Sequence, residues 1–479
     1  MILISINNNK CRLQGGAIQL KAIQKDFKIR NPNAFFIRKK CSMERGWDGM
    51  INYITDSYYF KIGLLRQVCN WFDEHKVKYE FEDNRRPFDI KPKVPKQIGE
   101  ISLTGDRQYQ YDSIKALVDN NINGLPYNMG VMDAATNAGK TIIMAGIYLA
   151  YKRNIPAIVL LKDGDLFNQF LKEIPELIGK EDFGYVRGKD IKWNKFTIVM
   201  VQTISRDIKK YQNELTKFGM ALVDEADEAD SKSYKDIITR LYNCSIRVGL
   251  SGSIYMSKLA KDKPKNQNLR SFFGEVLIKI TKKDMVEMGH STPVIVKIHP
   301  GSDFKPIKGD FQLEYQTNIT NNTNRAIKGL ELLKHNIKFG RLPALIICRY
   351  HEHINLLYEI YEKALGKKYV VRYVHGGTET KYRKKLLEDF RVGKIDILIS
   401  SFIIKRGKNH PLIKYIQNAA ASDSQETISQ IMGRGERKHE SKKKYHLDDF
   451  MDEGAYLKRH SKHRIVYYKS EGMRVILKF

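Results

Sequence analysis

The feature that most constrains this chain is a set of short, unbroken apolar runs that recurs twice. The first series comprises "IPAIVLL" (155–161), "FTIVMV" (196–201), "GMALVDE" (219–225) and "SIRVGLSGS" (245–253). The second comprises "PALIICR" (343–349), "KYVVRYVHGG" (368–377), "KIDILISS" (394–401) and "IKYIQNAAAS" (413–422). Runs this short, without polar alternation and separated by helical stretches, suit strands buried on both faces of a parallel sheet and joined by crossover helices. The pattern predicts two α/β domains in tandem.

Proline marks the first boundary. Pro87, Pro92 and Pro95 fall within "RRPFDIKPKVPK", which excludes helix and central strand and reads as a linker. In "DMVEMGHSTPVIVKIHP" (284–300) a short helix, a glycine stop and a proline precede the next strand, placing the domain change near residue 290. The expected organisation is a small module at 1–95, an α/β domain at 96–290, and a second at 291–479 with a C-terminal extension. "TNITNNTNR" (317–325) reads as an exposed loop, and the alternating apolar residues of "HRIVYYKSEGMRVILKF" as a closing hairpin or strand.

Composition narrows the partners. A formal net charge of +29 implies a polyanion, most simply nucleic acid, although a basic surface also serves solubility. No apolar run approaches the roughly 18 residues that span a bilayer, and "MILISINNNK" turns polar too soon for a signal peptide. A cytoplasmic chain without membrane contact is expected. The five scattered cysteines read as reduced thiols, and His351 and His353 lack further ligands at metal-binding spacing.

Three stretches carry chemistry. In "ATNAGKT" (135–141), Gly139 lets the backbone approach a phosphate, Lys140 reaches the β- and γ-phosphates, and Thr141 ligates Mg²⁺. The same stretch also reads as a capped amphipathic helix. In "ALVDEADEAD", an apolar run ends in Asp224-Glu225, which places two carboxylates at the C-terminal edge of a parallel sheet. Asp224 would hold Mg²⁺ and Glu225 would deprotonate the attacking water; an acidic helix start is the alternative. In "SQIMGRGERKH", a helix would bring Gln430, Arg434 and Arg437 onto one face, with two guanidiniums available to a developing phosphoryl charge. A basic helix facing nucleic acid fits that stretch equally.

In this order the motifs resemble those of the superfamily 2 helicases and translocases, from about residue 97 onward. The resemblance implies ATP and Mg²⁺ as cofactors, with ATP between two RecA-like parallel-sheet domains preceded by a small α+β domain. It assigns Thr136, Asn137, Ala138, Gly139, Lys140 and Thr141 to the phosphate loop. It also nominates Gln110 for adenine, with Tyr109 and Arg107 beside it, and Gly407 for the nucleotide. "MVQT" places Gln202 and Thr203 on nucleic acid, while Asp227, Ser251 and Ser253 would couple nucleotide state to domain movement.

The core Arg45-Gly46-Trp47-Asp48-Gly49 in the N-terminal module resembles that of UvsW-type helicases of tailed phages. Arg38, Lys39, Lys40 and Arg45 would then face the duplex. Ala134 stands in place of the first loop glycine, Asp227 where relatives often have histidine, and Lys408-Asn409 where an acidic residue is common.

By resemblance, the chain is a nucleic-acid-dependent ATPase acting on forked, junction or duplex DNA and on RNA–DNA hybrids. It would work alongside replication or recombination proteins, in a host bacterial cytoplasm if phage-encoded. The alternatives are a nucleotide-switched duplex-binding protein and the translocating subunit of a restriction system.

Overall fold

The structure is a computed structural model that describes all residues except 41–46, 86–89, 136, 253, 255–261, 308, 406–409 and 479, and the side chains at 39, 40, 405, 425 and 426. Arg45, Thr136, Ser253, Gly407, Cys41 and Pro87, with the side chains of Lys39 and Lys40, therefore lie outside the described residues. Contacts divide the chain into two compact units, Met1–Ile280 and Thr281–Phe479.

In the first unit, β1 (Ile2–Ile6), β2 (Lys10–Gly15), β3 (Tyr59–Lys61) and β4 (Tyr79–Asp83) form a sheet of order β3-β2-β1-β4. Ile2, Ile4 and Ile6 point into a core shared with Leu65, Val68 and Phe72 of the helix Leu65–Glu74. That core runs on into Tyr127 and Met129, past the proline linker. Tyr127 donates to the Ile62 carbonyl at 3.1 Å. A Cβ on Gly63 would lie 2.1 Å from the Arg270 carbonyl oxygen, so only glycine admits this approach. The N-terminal module, expected as a separate domain, thus packs into the first unit.

The large sheet of this unit contains β5 (Met129–Ala134), β6 (Ala157–Leu161), β7 (Phe183–Arg187) and β8 (Asp190–Lys192). It is completed by β9 (Phe196–Met200), β10 (Met220–Asp224), β11 (Ile246–Ser251) and β12 (Val276–Ile280). The order is β8-β7-β9-β6-β10-β11-β5-β12, parallel throughout except for the β7/β8 edge pair. Every residue of β5, β6, β10 and β11 is buried, as unbroken apolar runs require.

The second unit has a seven-stranded sheet with β13 (Val294–Pro300), β14 (Ala344–Ile347), β15 (Val371–Val374) and β16 (Ile397–Ser400). β17 (Tyr415–Asn418), β18 (Tyr445–Met451) and β19 (Arg474–Leu477) complete it. The order is β15-β16-β14-β17-β18-β13-β19, and every pairing is parallel. The expected α/β architecture with two parallel sheets is present.

Three local expectations need correction. "TNITNNTNR" is not an exposed loop: Gln316–Thr320 is a π-helical turn with Ile319 buried, and Thr323 opens the helix Thr323–Lys338. Its asparagines take over backbone bonding. Asn318 Nδ2 donates to the Lys305 and Glu314 carbonyls, while Asn322 accepts from Arg325 N as the helix cap. At the C-terminus, "HRIVYYKS" belongs to the helix Leu457–Ser470, and only Arg474–Leu477 is strand. Finally, contacts divide at Ile280, short of residue 290, because Lys282 fastens the helix Lys282–Glu287 to Glu436 of the second unit. No helix among the described residues is long and apolar enough to cross a membrane.

Candidate nucleotide site

Parallel sheets bind ligands beyond the carboxyl ends of their strands. In the first unit, the neighbouring strands β10, β11 and β5 end at Asp224, Ser251 and Ala134. The chain leaves β5 through Ala135, whose N–H donates to the Ile280 carbonyl at 2.9 Å, and turns through Ala138, which bonds back to Ala135 O at 3.2 Å. Asn137 and Gly139 adopt left-handed conformations, φ 75° and 71°. Lys140 then opens the helix Lys140–Ala150, whose first N–H groups point back at the loop. Glycine at 139 is needed twice over, because a Cβ there would also lie 2.3 Å from Gln110 Nε2.

Gln110 is fully buried. Its Nε2 donates to the Ala138 carbonyl at 3.0 Å and to the Tyr109 hydroxyl at 3.3 Å. The amide thus braces the loop from beneath and leaves Oε1 buried without a hydrogen-bond partner. Tyr109 is half-buried beside it, and Arg107 immediately precedes their helix Gln108–Val118.

Lys140 Nζ stands 3.7 Å from Asp224 Oδ1, and that oxygen is buried with no hydrogen bond. A buried carboxylate oxygen left so, beside the lysine that precedes Thr141, fits a Mg²⁺ held by one carboxylate, a hydroxyl and phosphates. Among the described residues, no cluster of three acidic, histidine or cysteine side chains offers an all-protein metal cage. Glu225 adopts φ 50° and ψ 49°, a left-handed conformation that costs a non-glycine residue about 1–3 kcal/mol. Burial, then the Asp224 charge, push its carboxyl up to about 7, against the opposing pull of Lys140.

Two of the expected coupling residues, Asp227 and Ser251, meet. Ser251 Oγ donates to Asp227 Oδ1 at 2.5 Å, both buried. Between Ser251 and Ser253, Gly252 lies against the phosphate loop, where a Cβ would come 2.9 Å from Ala134 O. Gly252 belongs to none of the expected site residues; a glycine directly after a buried strand is its signal in the sequence.

Gln202 and Thr203 sit on the helix Val201–Arg206 and are engaged internally. Gln202 Nε2 donates to Lys162 O at 2.9 Å, and Thr203 Oγ1 accepts from Gly188 N at 2.9 Å. Lys162 in turn pairs with Glu228, so this motif is linked to the acidic one. In the N-terminal module, Arg38 is exposed on the helix Ala34–Lys40 beside Phe35 and Phe36, which are 71% and 62% exposed.

In the second unit, Gln430 and Arg434 lie on the helix Gln425–Gly435, which Ser424 caps by accepting from Thr427 N. Arg437 does not share that helix, contrary to expectation. The helix stops at Gly435, where a Cβ would meet the Tyr445 ring at 2.7 Å. The freed carbonyls of Gly435, Glu436 and Arg437 are taken by Lys442 Nζ, Thr292 N and Thr292 Oγ1. His410 is buried near Arg434, and burial followed by the arginine charges lower its pKa to about 4.

The chain is similar to several known proteins. Residues 104–255 match the family described as type III restriction enzyme, res subunit, and residues 324–439 match the helicase conserved C-terminal domain. The ATP-dependent DNA helicase uvsW of Enterobacteria phage T4 is 23% identical, over 90% of this chain and 90% of that protein. Among solved structures, a fragment assigned as the HsdR subunit of a type I restriction enzyme from Vibrio vulnificus shares the fold. Its TM-score is 0.56 at 19% identity, covering 72% of this chain and 64% of that one. The ATP-dependent type ISP restriction-modification enzyme LlaBIII, solved bound to DNA, has a TM-score of 0.56 at 14% identity, with 81% and 32% covered.

Proposed function

We propose that this chain is an ATP-dependent helicase of the superfamily 2 type, related to UvsW, that unwinds or branch-migrates forked and junction DNA in recombination, replication and repair. The observation that carries the chemistry is the buried, unbonded Asp224 Oδ1 at 3.7 Å from Lys140, at the mouth of a left-handed loop. Lys140 and the N–H groups opening its helix bind the phosphates. Thr141 and Asp224 would hold Mg²⁺, which when bound neutralises charge on the β- and γ-phosphates. Glu225, pushed up to about 7, accepts the proton of the attacking water near neutral pH. Gln110 Oε1 is the acceptor that adenine recognition asks for. Arg434 and Arg437, with Gln430, act on the charge that develops on the transferring phosphoryl group.

Changes at the phosphates would pass through Gly252 and the Ser251–Asp227 bond to the rest of the motor. Nucleic acid would meet the Gln202-Thr203 helix and the helix Ala34–Lys40, where exposed Phe35 and Phe36 beside Arg38 suit a polyanion with stacking bases. The test is ATP turnover and strand separation on single-stranded, duplex, forked and four-way DNA. Branched substrates should stimulate hydrolysis most and be resolved by the protein. Hydrolysis insensitive to every DNA would rule the motor out, and stimulated hydrolysis without strand separation would favour a nucleotide switch. The res-subunit match over 104–255 favours one further reading, a translocating restriction subunit, which would track along unbranched duplex as readily as on forks.

A further inference from the structure

Both flanks of the chain joint at Ile280 and Thr281 are tied to functional motifs. Before the joint, the Ile280 carbonyl holds Ala135 N at the entry to the phosphate loop. After it, Lys282 is buried, and its Nζ donates to Glu436 Oε1 at 2.6 Å and to Ser429 O at 3.2 Å. Ser429 directly precedes Gln430, and Glu436 stands between Arg434 and Arg437. The short helix that presents Lys282 is fixed by a reciprocal cap. Thr281 Oγ1 accepts from Asp284 N at 3.1 Å, and Asp284 Oδ2 accepts from Thr281 N at 2.7 Å.

Burial alone would drive this ammonium toward its neutral form, but the facing Glu436 carboxylate outweighs it and holds Lys282 charged, above its ordinary value. Such a pair contributes little net stability, because desolvation offsets the attraction; what it supplies is one fixed geometry. Here that geometry lies at the end of the helix, between Arg434 and Arg437 in the chain. Thr292 and Lys442 secure the three carbonyls from Gly435 to Arg437 around it.

We propose that Lys282 is a positioning residue for ATP hydrolysis, whose pairing with Glu436 sets the orientation of Arg434 and Arg437 from the segment that braces the phosphate loop. This rests on those arginines acting on the transferring phosphoryl group.

The test compares Lys282→Arg, the double variant Lys282→Met with Glu436→Met, and Arg434→Ala in the full chain. The double variant removes both charges, so no lone buried ion is left to unfold the unit. Its melting temperature should stay near the parent's, while DNA-stimulated kcat falls about tenfold or more and the KM for ATP moves less than about twofold. Lys282→Arg should keep most of the turnover. A double variant with the parent's kcat, or one that fails to fold, overturns the positioning role, since the pair would then serve stability alone. Parental turnover in Arg434→Ala would instead refute the arginine reading, which separates the two failures.

Discussion

The two units share a parallel-sheet plan yet differ in how particular buried carboxylates are met. In the first, charges at the sheet edge are left unsettled. Asp224 Oδ1 is buried without a hydrogen bond, Glu225 is pushed up to about 7, and its backbone is left-handed. In the second, two buried carboxylates are each gripped by an arginine. Arg464 grips Asp449 with two bonds of 2.8 and 3.0 Å, and Arg325 grips Asp452 with bonds of 2.8 and 3.2 Å. In the proposed function the unsettled charges and the strained backbone fall at the strand ends that would receive phosphate, where a ligand would relieve them. The paired charges of the other unit join its elements: Arg325 of the helix Thr323–Lys338 to Asp452, and Arg464 of the helix Leu457–Ser470 to Asp449.

The contrast can be broken most forcefully at Arg464. Arg464→Leu leaves Asp449 buried without its guanidinium, and the second unit should lose roughly 3–5 kcal/mol of stability. Hydrogen exchange within residues 281–479 would report that loss. Fluorescence should scarcely change, since Trp47, Trp71 and Trp193 all lie in the first unit.

Acid sharpens the same contrast. Burial keeps His353 neutral and lowers its pKa from 6.5 to about 3, and His410 and His446 are lowered to about 4; all three lie in the second unit. The unfolded chain takes up protons on these rings below 6.5 while the folded chain does not. Their contribution to stability is therefore complete above pH 6.5 and drains away as pH falls toward 3. Hydrogen exchange at stepped pH should show the second unit opening before the first.

The smallest effect belongs to Ser251→Ala, which removes a bond to Asp227 and should cost about 1–2 kcal/mol. If that bond couples the nucleotide site to movement, strand separation per ATP hydrolysed should fall more than hydrolysis itself.

What could be read from the residues alone follows from the physics of each signal. "GMALVDE" and "PALIICR" declare strands because an unbroken apolar run has few other homes, and the glycine of "NAGKT" declares its turn. Asn318 and Asn322 misled because polarity marks a loop only when side chains face water; these replace backbone partners inside the fold. Arg437 left the expected helix where Tyr445 and Lys442, just downstream, and Thr292, distant in sequence, meet the chain from Gly435 to Arg437. Nothing in "YFKIGLL" announces that Gly63 must admit the Arg270 carbonyl, so the packing of the N-terminal module onto the motor was hidden too.

The central claim is that the left-handed loop beside Asp224 holds the phosphates whose cleavage drives the protein on DNA. Steady-state ATP hydrolysis by Lys140→Ala, with and without forked DNA and with DNA affinity measured on the same preparation, tests it most directly. Turnover should drop about a hundredfold or more while DNA affinity stays close to the parent's. Turnover equal to the parent's would contradict the account.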